Sequence, residues 1–250
     1  MKTYCDLCKK LIAETRNSTA ESYFAIIEAK TASLMSGCCR VGALLDPSGG
    51  RNAETLAAGK VHPDRFTPVG VIGPMNGGGA AELRSLVEQG CRAVRLYPLL
   101  HAYRLYDPFA HETCAAAAEL AIPVIVCTRP MMNFRFATVP IEEVGELARR
   151  HPKTQFILSG PNYLTEARAA VLVMQQNANV AIEITCMQGL NALQRTVEAV
   201  GADRVLFGTG VPLHYPACNV AKLVHANLSE AIREAVGGGN ALRLLGISRA

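Results

Sequence analysis

Short runs of consecutive apolar residues recur along the chain. Each is followed by a longer stretch in which apolar positions return every three or four residues. The runs at 39–45, 66–72, 93–97, 123–127, 155–159, 180–185 and 204–208 are rich in β-branched residues and apolar on both faces, which is the pattern of strands buried on two sides. The stretches at 80–89, 112–120, 141–150, 165–175 and 192–200 carry Ala, Leu, Glu and Arg at helical spacing. Pro140 ahead of Ile141, Glu142 and Glu143 marks one helix start, and Thr165 ahead of Glu166 marks another. Gly90 and Gly201 each stand just past a helix, where a left-handed residue ends it. The glycine runs at 77–79 and 237–239 read as loops.

A strand over 2–8 and a helix over 20–35 complete the series at eight strand–helix units. Spread over 250 residues, that leaves about 31 residues per unit, the size of a minimal βα unit. Strands apolar on both faces, each followed by a helix, predict a parallel sheet. Eight such units close into a (β/α)8 TIM barrel, so the expected fold is α/β and a single domain over 1–250. A doubly wound open sheet would place a glycine-rich phosphate loop after the first strand, and DLCKK at 6–10 is not one.

In such a barrel the active site lies at the C-terminal ends of the strands. Alternation assigns the faces. Val94 and Leu96 point to the helices, so Ala93, Arg95 and Tyr97 point inward. Likewise Ile182 and Ile184 pack outward, and Ala181, Glu183 and Thr185 point in. An unpaired charge inside would cost several kcal/mol, so Arg95 is expected to pair with Glu183 or with Asp6. Cys127 and His214 are a candidate nucleophile and base, both on the mouth side. Ser159, next to Gly160-Pro161-Asn162, is placed to bind an oxyanion. Arg95, Tyr97, Glu183, Tyr103 and Arg104 are candidates for binding an anionic aromatic or carboxylate substrate. The last two stand in an aromatic loop at 101–107 that is long enough to cover the mouth.

Composition narrows the classes. Half of the residues are hydrophobic, only 18% are charged and the net charge of +4 is diffuse. That argues against nucleic-acid and lipid surfaces, which need a clustered basic face. No apolar segment reaches the ~18–20 residues of a membrane span, and the first six residues lack the apolar core of a signal peptide. The expected location is the cytoplasm. The nine cysteines are then expected to be mostly small buried hydrophobes rather than disulfides.

Six stretches, in order along the chain, carry a family resemblance: HPDRF at 62–66, GCRAVRLYP at 90–98, LAIPVIV at 120–126, PKTQFILSG at 152–160, GADRVLFGT at 201–209 and NALRLLG at 240–246. The chain resembles the amidohydrolase-related branch of the amidohydrolase superfamily, a group of metal-dependent TIM-barrel hydrolases and decarboxylases. The resemblance implies a divalent metal held by a His-x-His pair ending the first strand, a His ending the fifth and an Asp after the eighth. A further His on the sixth strand serves as ligand or base. Here those positions carry Asp6 and Cys8, Cys127, Gly210 and Ser159.

Every implied ligand is therefore replaced, and the expected site is non-standard and without a metal cofactor. A substitute zinc site of Asp6, Cys8 and Cys127 is the alternative, since two thiolates and a carboxylate suit zinc. Two functions stay open. One is a hydrolase or decarboxylase acting on a small carboxylated molecule. The other is an inactive barrel that binds a metabolite or serves as a regulatory or structural subunit. The resemblance also implies a homo-oligomer, a dimer, with a small molecule as its other partner.

Overall fold

The computed structural model describes residues 52–247 apart from 64, 75–77, 130–136, 163–164 and 212–213. Six strands run through these residues: β1 Val69–Val71, β2 Ala93–Leu96, β3 Val124–Cys127, β4 Phe156–Ser159, β5 Val180–Glu183 and β6 Val205–Leu206. They form one sheet in sequence order, and every neighbouring pair is parallel. They are the third to eighth of the eight expected strands. The expected strands at 2–8 and 39–45 and the helix at 20–35 lie outside the described residues.

Helices alternate with the strands, as a parallel sheet with sequential neighbours requires. They are α1 Asn52–Val61, α2 Ala80–Glu88, α3 Pro108–Glu119, α4 Ile141–Arg150, α5 Thr165–Gln176, α6 Ala192–Val200, α7 Pro216–Val224, α8 Glu230–Glu234 and α9 Asn240–Leu244. This is the (β/α)8 TIM-barrel fold. Among the described residues no helix is long and apolar enough to cross a membrane.

Two departures from the pattern have local causes. Helix α3 starts at Pro108 rather than at 112, with Asp107 before it in extended backbone. The fixed φ of proline suits the first helical position, where a missing N–H costs nothing. The Asp107 carboxylate accepts from the Arg104 amide at 2.8 Å and closes the preceding turn. The expected glycine loop at 237–239 is instead part of a π-helical turn, Ala235–Gly239, joining α8 to α9. Gly237 and Gly238 are buried there, and the Phe207 amide donates to the Val236 carbonyl at 2.9 Å. Without side chains those glycines allow the widened turn to lie against the end of β6.

The buried residues sort into two layers. The inner one contains Val69, Val71, Ala93, Tyr97, Ile125, Cys127, Ile157, Ala181 and Leu206. The outer one contains Val94, Leu96, Val124, Val126, Phe156, Leu158, Ile182, Ile184, Val205 and Phe207, packed with residues of the helices. Successive residues of each strand fall alternately in the two layers, so the period-two rule that aimed Arg95 and Glu183 inward holds along the sheet.

On the outer wall, His111 Nδ1 meets His151 Nε2 at 2.8 Å. The ring centroids are 5.1 Å apart, so the two nitrogens meet head-on. That geometry makes a hydrogen bond between imidazoles, since a shared metal would need both lone pairs to converge on a third point. Burial, then His111 and Arg150, hold His151 below the usual histidine range.

Candidate functional site

Four neighbouring strands each contribute one inward side chain at or near the mouth. Arg95 comes from β2, Cys127 ends β3, Ser159 ends β4 and Glu183 ends β5. The strand register sets Cys127 directly beside Ser159. The Arg95 guanidinium donates through Nη2 to Ser159 Oγ. Ser159 donates its own proton to Glu183 Oε1 at 2.7 Å. Glu183 Oε2 accepts from the Thr185 amide at 2.8 Å. The expected pairing of Arg95 with Glu183 is thus made through a serine hydroxyl.

The cluster is nearly dry. Arg95 is 1% exposed, Ser159 0% and Glu183 9%. Burial works against the charge on Arg95, but Tyr97, Cys127 and Glu183 more than offset it and hold its pKa above the usual arginine value. Arg95 also lies over the Tyr97 ring, 5.4 Å from the centroid, a distance at which the ring face attracts a cation. The site therefore contains a permanent positive charge fixed by the fold.

Glycines make room for this arrangement. A Cβ at Gly208 would collide with Glu183 Oε2 and Thr185 Oγ1. At Gly210, where φ is +66°, it would collide with Thr185 Cγ2 and His214 Nδ1. The position that the resemblance assigns to an acid thus stays bare, and an imidazole from four residues downstream fills the space. His101 does the same at Gly73, whose Cβ would fall 2.5 Å from His101 Nδ1. His101 is 1% exposed and lies 6.0 Å from Tyr97, ring to ring. Imidazoles thus reach the mouth from loops rather than from strand ends.

The structure separates the expected site residues into two groups. Arg95, Tyr97, Cys127, Ser159 and Glu183 come together. The Cys127 thiol donates to the Arg129 carbonyl at 3.3 Å and also touches Arg95, while His214 is seated beside Gly210 and Thr185. Tyr103 does not join them: it belongs to the outer layer and packs edge-on against Phe109 at 5.0 Å. Burial pushes its phenol well above the usual tyrosine range. Arg104 is exposed and reaches Glu143 of α4 at 3.9 Å. Tyr103 nonetheless stays within electrostatic reach of Cys127. Asp6 and Cys8 lie outside the described residues.

Sequence reasoning passed over Arg129, which is buried and ion-paired with Glu166 of α5. The other Glu166 oxygen accepts from the Asn162 amide at 2.9 Å. This clip ties the ends of β3 and β4 together at the rim. A signal was present: Arg129 stands two residues beyond Cys127, and Glu166 falls in the first turn of the next helix but one.

The described part of the mouth does not fit a divalent metal. Cys127 and Ser159 stand where the resemblance implies imidazoles, and the Arg95 guanidinium touches both. A cation bound at either would face a like charge a few ångströms away, worth about 4 kcal/mol per pair of unit charges at an effective dielectric near 20. Among the described residues no three His, Cys, Asp or Glu side chains gather as a metal site.

Comparison with known proteins agrees with the architecture. The chain is 22% identical to an uncharacterized TIM-barrel protein from Bordetella bronchiseptica, with a TM-score of 0.65 over 78% of this chain and 72% of that one. It is 18% identical to 2,6-dihydroxybenzoate decarboxylase from Rhizobium, with a TM-score of 0.61 over 86% and 81%. It is also 18% identical to 5-carboxyvanillate decarboxylase from Novosphingobium aromaticivorans, solved with manganese and 4-hydroxy-3-methoxy-5-nitrobenzoic acid, with a TM-score of 0.62 over 80% and 70%. A comparison with curated proteins finds no match. A family model described as amidohydrolase matches residues 41–247. Sequence stretches, parallel sheet and family match converge, and the chain belongs to the amidohydrolase family.

Proposed function

We propose that the barrel mouth acts on a small carboxylated molecule, as a decarboxylase or hydrolase, with the Arg95 guanidinium as its resident cation in place of a metal. The observation that carries this reading is the Arg95–Ser159–Glu183 chain, which fixes a buried positive charge between two positions where the family resemblance implies ligands. Arg95 beside Tyr97 suits an anionic aromatic, since one can pair with an oxyanion while the other covers a ring face. The decarboxylases of carboxylated aromatics among the similar solved structures support the same substrate class.

In a decarboxylation the bond from ring carbon to carboxylate breaks and carbon dioxide leaves. The same ring carbon first takes a proton from solvent, so the electron pair of the broken bond restores the aromatic ring and leaves its charge on a hydroxyl oxygen of the substrate, which Arg95 stabilises as a fixed charge. Ser159, its proton held by Glu183, keeps the guanidinium in place on that face. No oxidant or reductant is required.

One observation favours the second reading, a barrel that binds without turnover. The Ser159 hydroxyl donates to Glu183 while accepting from Arg95, and the Cys127 proton lies on a backbone carbonyl, so the protons of both nucleophiles are already engaged within the protein. Calorimetric titration with hydroxybenzoates and carboxyvanillate, paired with assays for carbon dioxide and for hydrolysis with and without chelator, tests both readings. Binding is expected, with turnover unchanged by chelator, and Arg95→Lys should weaken affinity about tenfold, equivalent to ~1.4 kcal/mol, because a point charge replaces a fork. Binding without product selects the second reading. Absence of binding, or activity that chelator abolishes, rejects the proposal.

A further inference from the structure

Glu183 is also supported from the helix side of the barrel wall. Lys222 on α7 sends its ammonium to the carbonyls of Ile184 at 3.1 Å and Thr185 at 3.3 Å, and to Asn219 Oδ1 at 2.6 Å. Three acceptors match the three N–H bonds of an ammonium, whereas a neutral amine has only two. Asn219, one turn earlier on the same helix, donates to the Thr209 carbonyl at 3.1 Å. The Asn219–Lys222 pair therefore straps the end of β5 to the segment that follows β6.

Both segments shape the environment of Glu183. Its Oε2 accepts from the amide of Thr185, the residue whose carbonyl Lys222 holds. The same oxygen lies against Gly208, just before Thr209. A continuous chain then runs from Lys222 through Thr185, Glu183 and Ser159 to Arg95. Among the described residues, Arg95, through Ser159, acts on Glu183 from the barrel side and Lys222 acts on it from the helix side. Burial holds Lys222 below the usual lysine range, and Glu183, with Cys186 and Cys218, offsets part of that effect.

We propose that Lys222 is a positioning residue that sets the Glu183 carboxylate in place and keeps it ionised from outside the barrel wall. The spacing is economical: Asn219 and Lys222 are three residues apart on α7, so both side chains leave the same helix face. The proposal concerns the same mouth as the reaction suggested above, but its test reads the carboxyl group itself.

The experiment is carbon-13 NMR titration of the full-length protein with glutamate labelled at the side-chain carboxyl. The Glu183 signal is assigned by its loss in Glu183→Gln. Lys222→Gln keeps a hydrogen-bond donor without the charge, and Lys222→Arg keeps the charge. The Glu183 titration is expected to move up by roughly one unit in Lys222→Gln and to stay near the wild-type value in Lys222→Arg. Thermal melts confirm that each variant folds. A Glu183 titration in folded Lys222→Gln that overlays the wild type would overturn the proposal. So would an equal upward shift in Lys222→Arg, which would trace the effect to packing. Should Lys222→Gln fail to fold, Lys222→Met is titrated instead. It keeps an apolar stem without the charge and should move Glu183 in the same direction, and no movement there rejects the idea. Either outcome leaves the ligand-binding result untouched, so the failure of one reading is distinguishable from that of the other.

Discussion

Arg95→Met is expected to destabilise the protein by about 3–5 kcal/mol, the usual cost of leaving one partner of a buried charge network alone. For a chain of this size that is a fall in melting temperature of roughly 10 °C or more. The methionine keeps the apolar stem of Arg95, so the loss reports the removal of the guanidinium with its charge and hydrogen bonds. Ser159 Oγ loses a donor, and Glu183 loses its compensating charge on the barrel side. Denaturant titration measures the change. Adding Glu183→Gln should restore part of it, because the second substitution removes the orphaned charge, and the two effects should be clearly less than additive. Purely additive losses would mean that the two residues are not coupled through Ser159.

The other large effect is expected at Gly160. Its φ of +112° is a conformation that L side chains rarely adopt, and a Cβ there would meet Arg129 N at 2.7 Å and Arg129 O at 3.0 Å. Strain and backbone collision combine, and Gly160→Ala should cost about 2–4 kcal/mol. Gly90 supplies the control. It has a similar φ of +107°, with nothing within 4 Å of the added methyl, so Gly90→Ala should cost only about 1 kcal/mol. The difference between the two isolates the contact with Arg129. Gly160 follows Ser159, whose carbonyl accepts from both the Thr128 amide and the Thr128 hydroxyl, so Gly160→Ala should also weaken ligand binding at the mouth. Equal costs at the two glycines would show that the Arg129 backbone yields easily.

The expected strand–helix alternation agrees with the described fold because strands buried on two sides and helices buried on one leave different periods in a sequence. The same logic aimed Arg95 and Glu183 inward. It also put Cys127 and Ser159 at neighbouring strand ends, where the observed register brings them side by side. Elements set by a single residue were harder to read. Pro108 started a helix four residues ahead of the expected position 112. Lys222 and Arg129 act through contacts to residues tens of positions away, and a period of two or 3.6 does not record such pairings. The lodging of His214 against Gly210 depends on a space left by an absent side chain, a signal visible only when both residues are placed together.

The positive charge at the mouth is expected to belong to Arg95 and not to a metal ion. Crystals of the full-length protein soaked in manganese, followed by an anomalous difference map, test it most directly. The expected result is the Arg95 guanidinium between Ser159 and Cys127, with no anomalous peak within bonding distance of either. A manganese peak bonded to Cys127 with Arg95 displaced from Ser159 would contradict it.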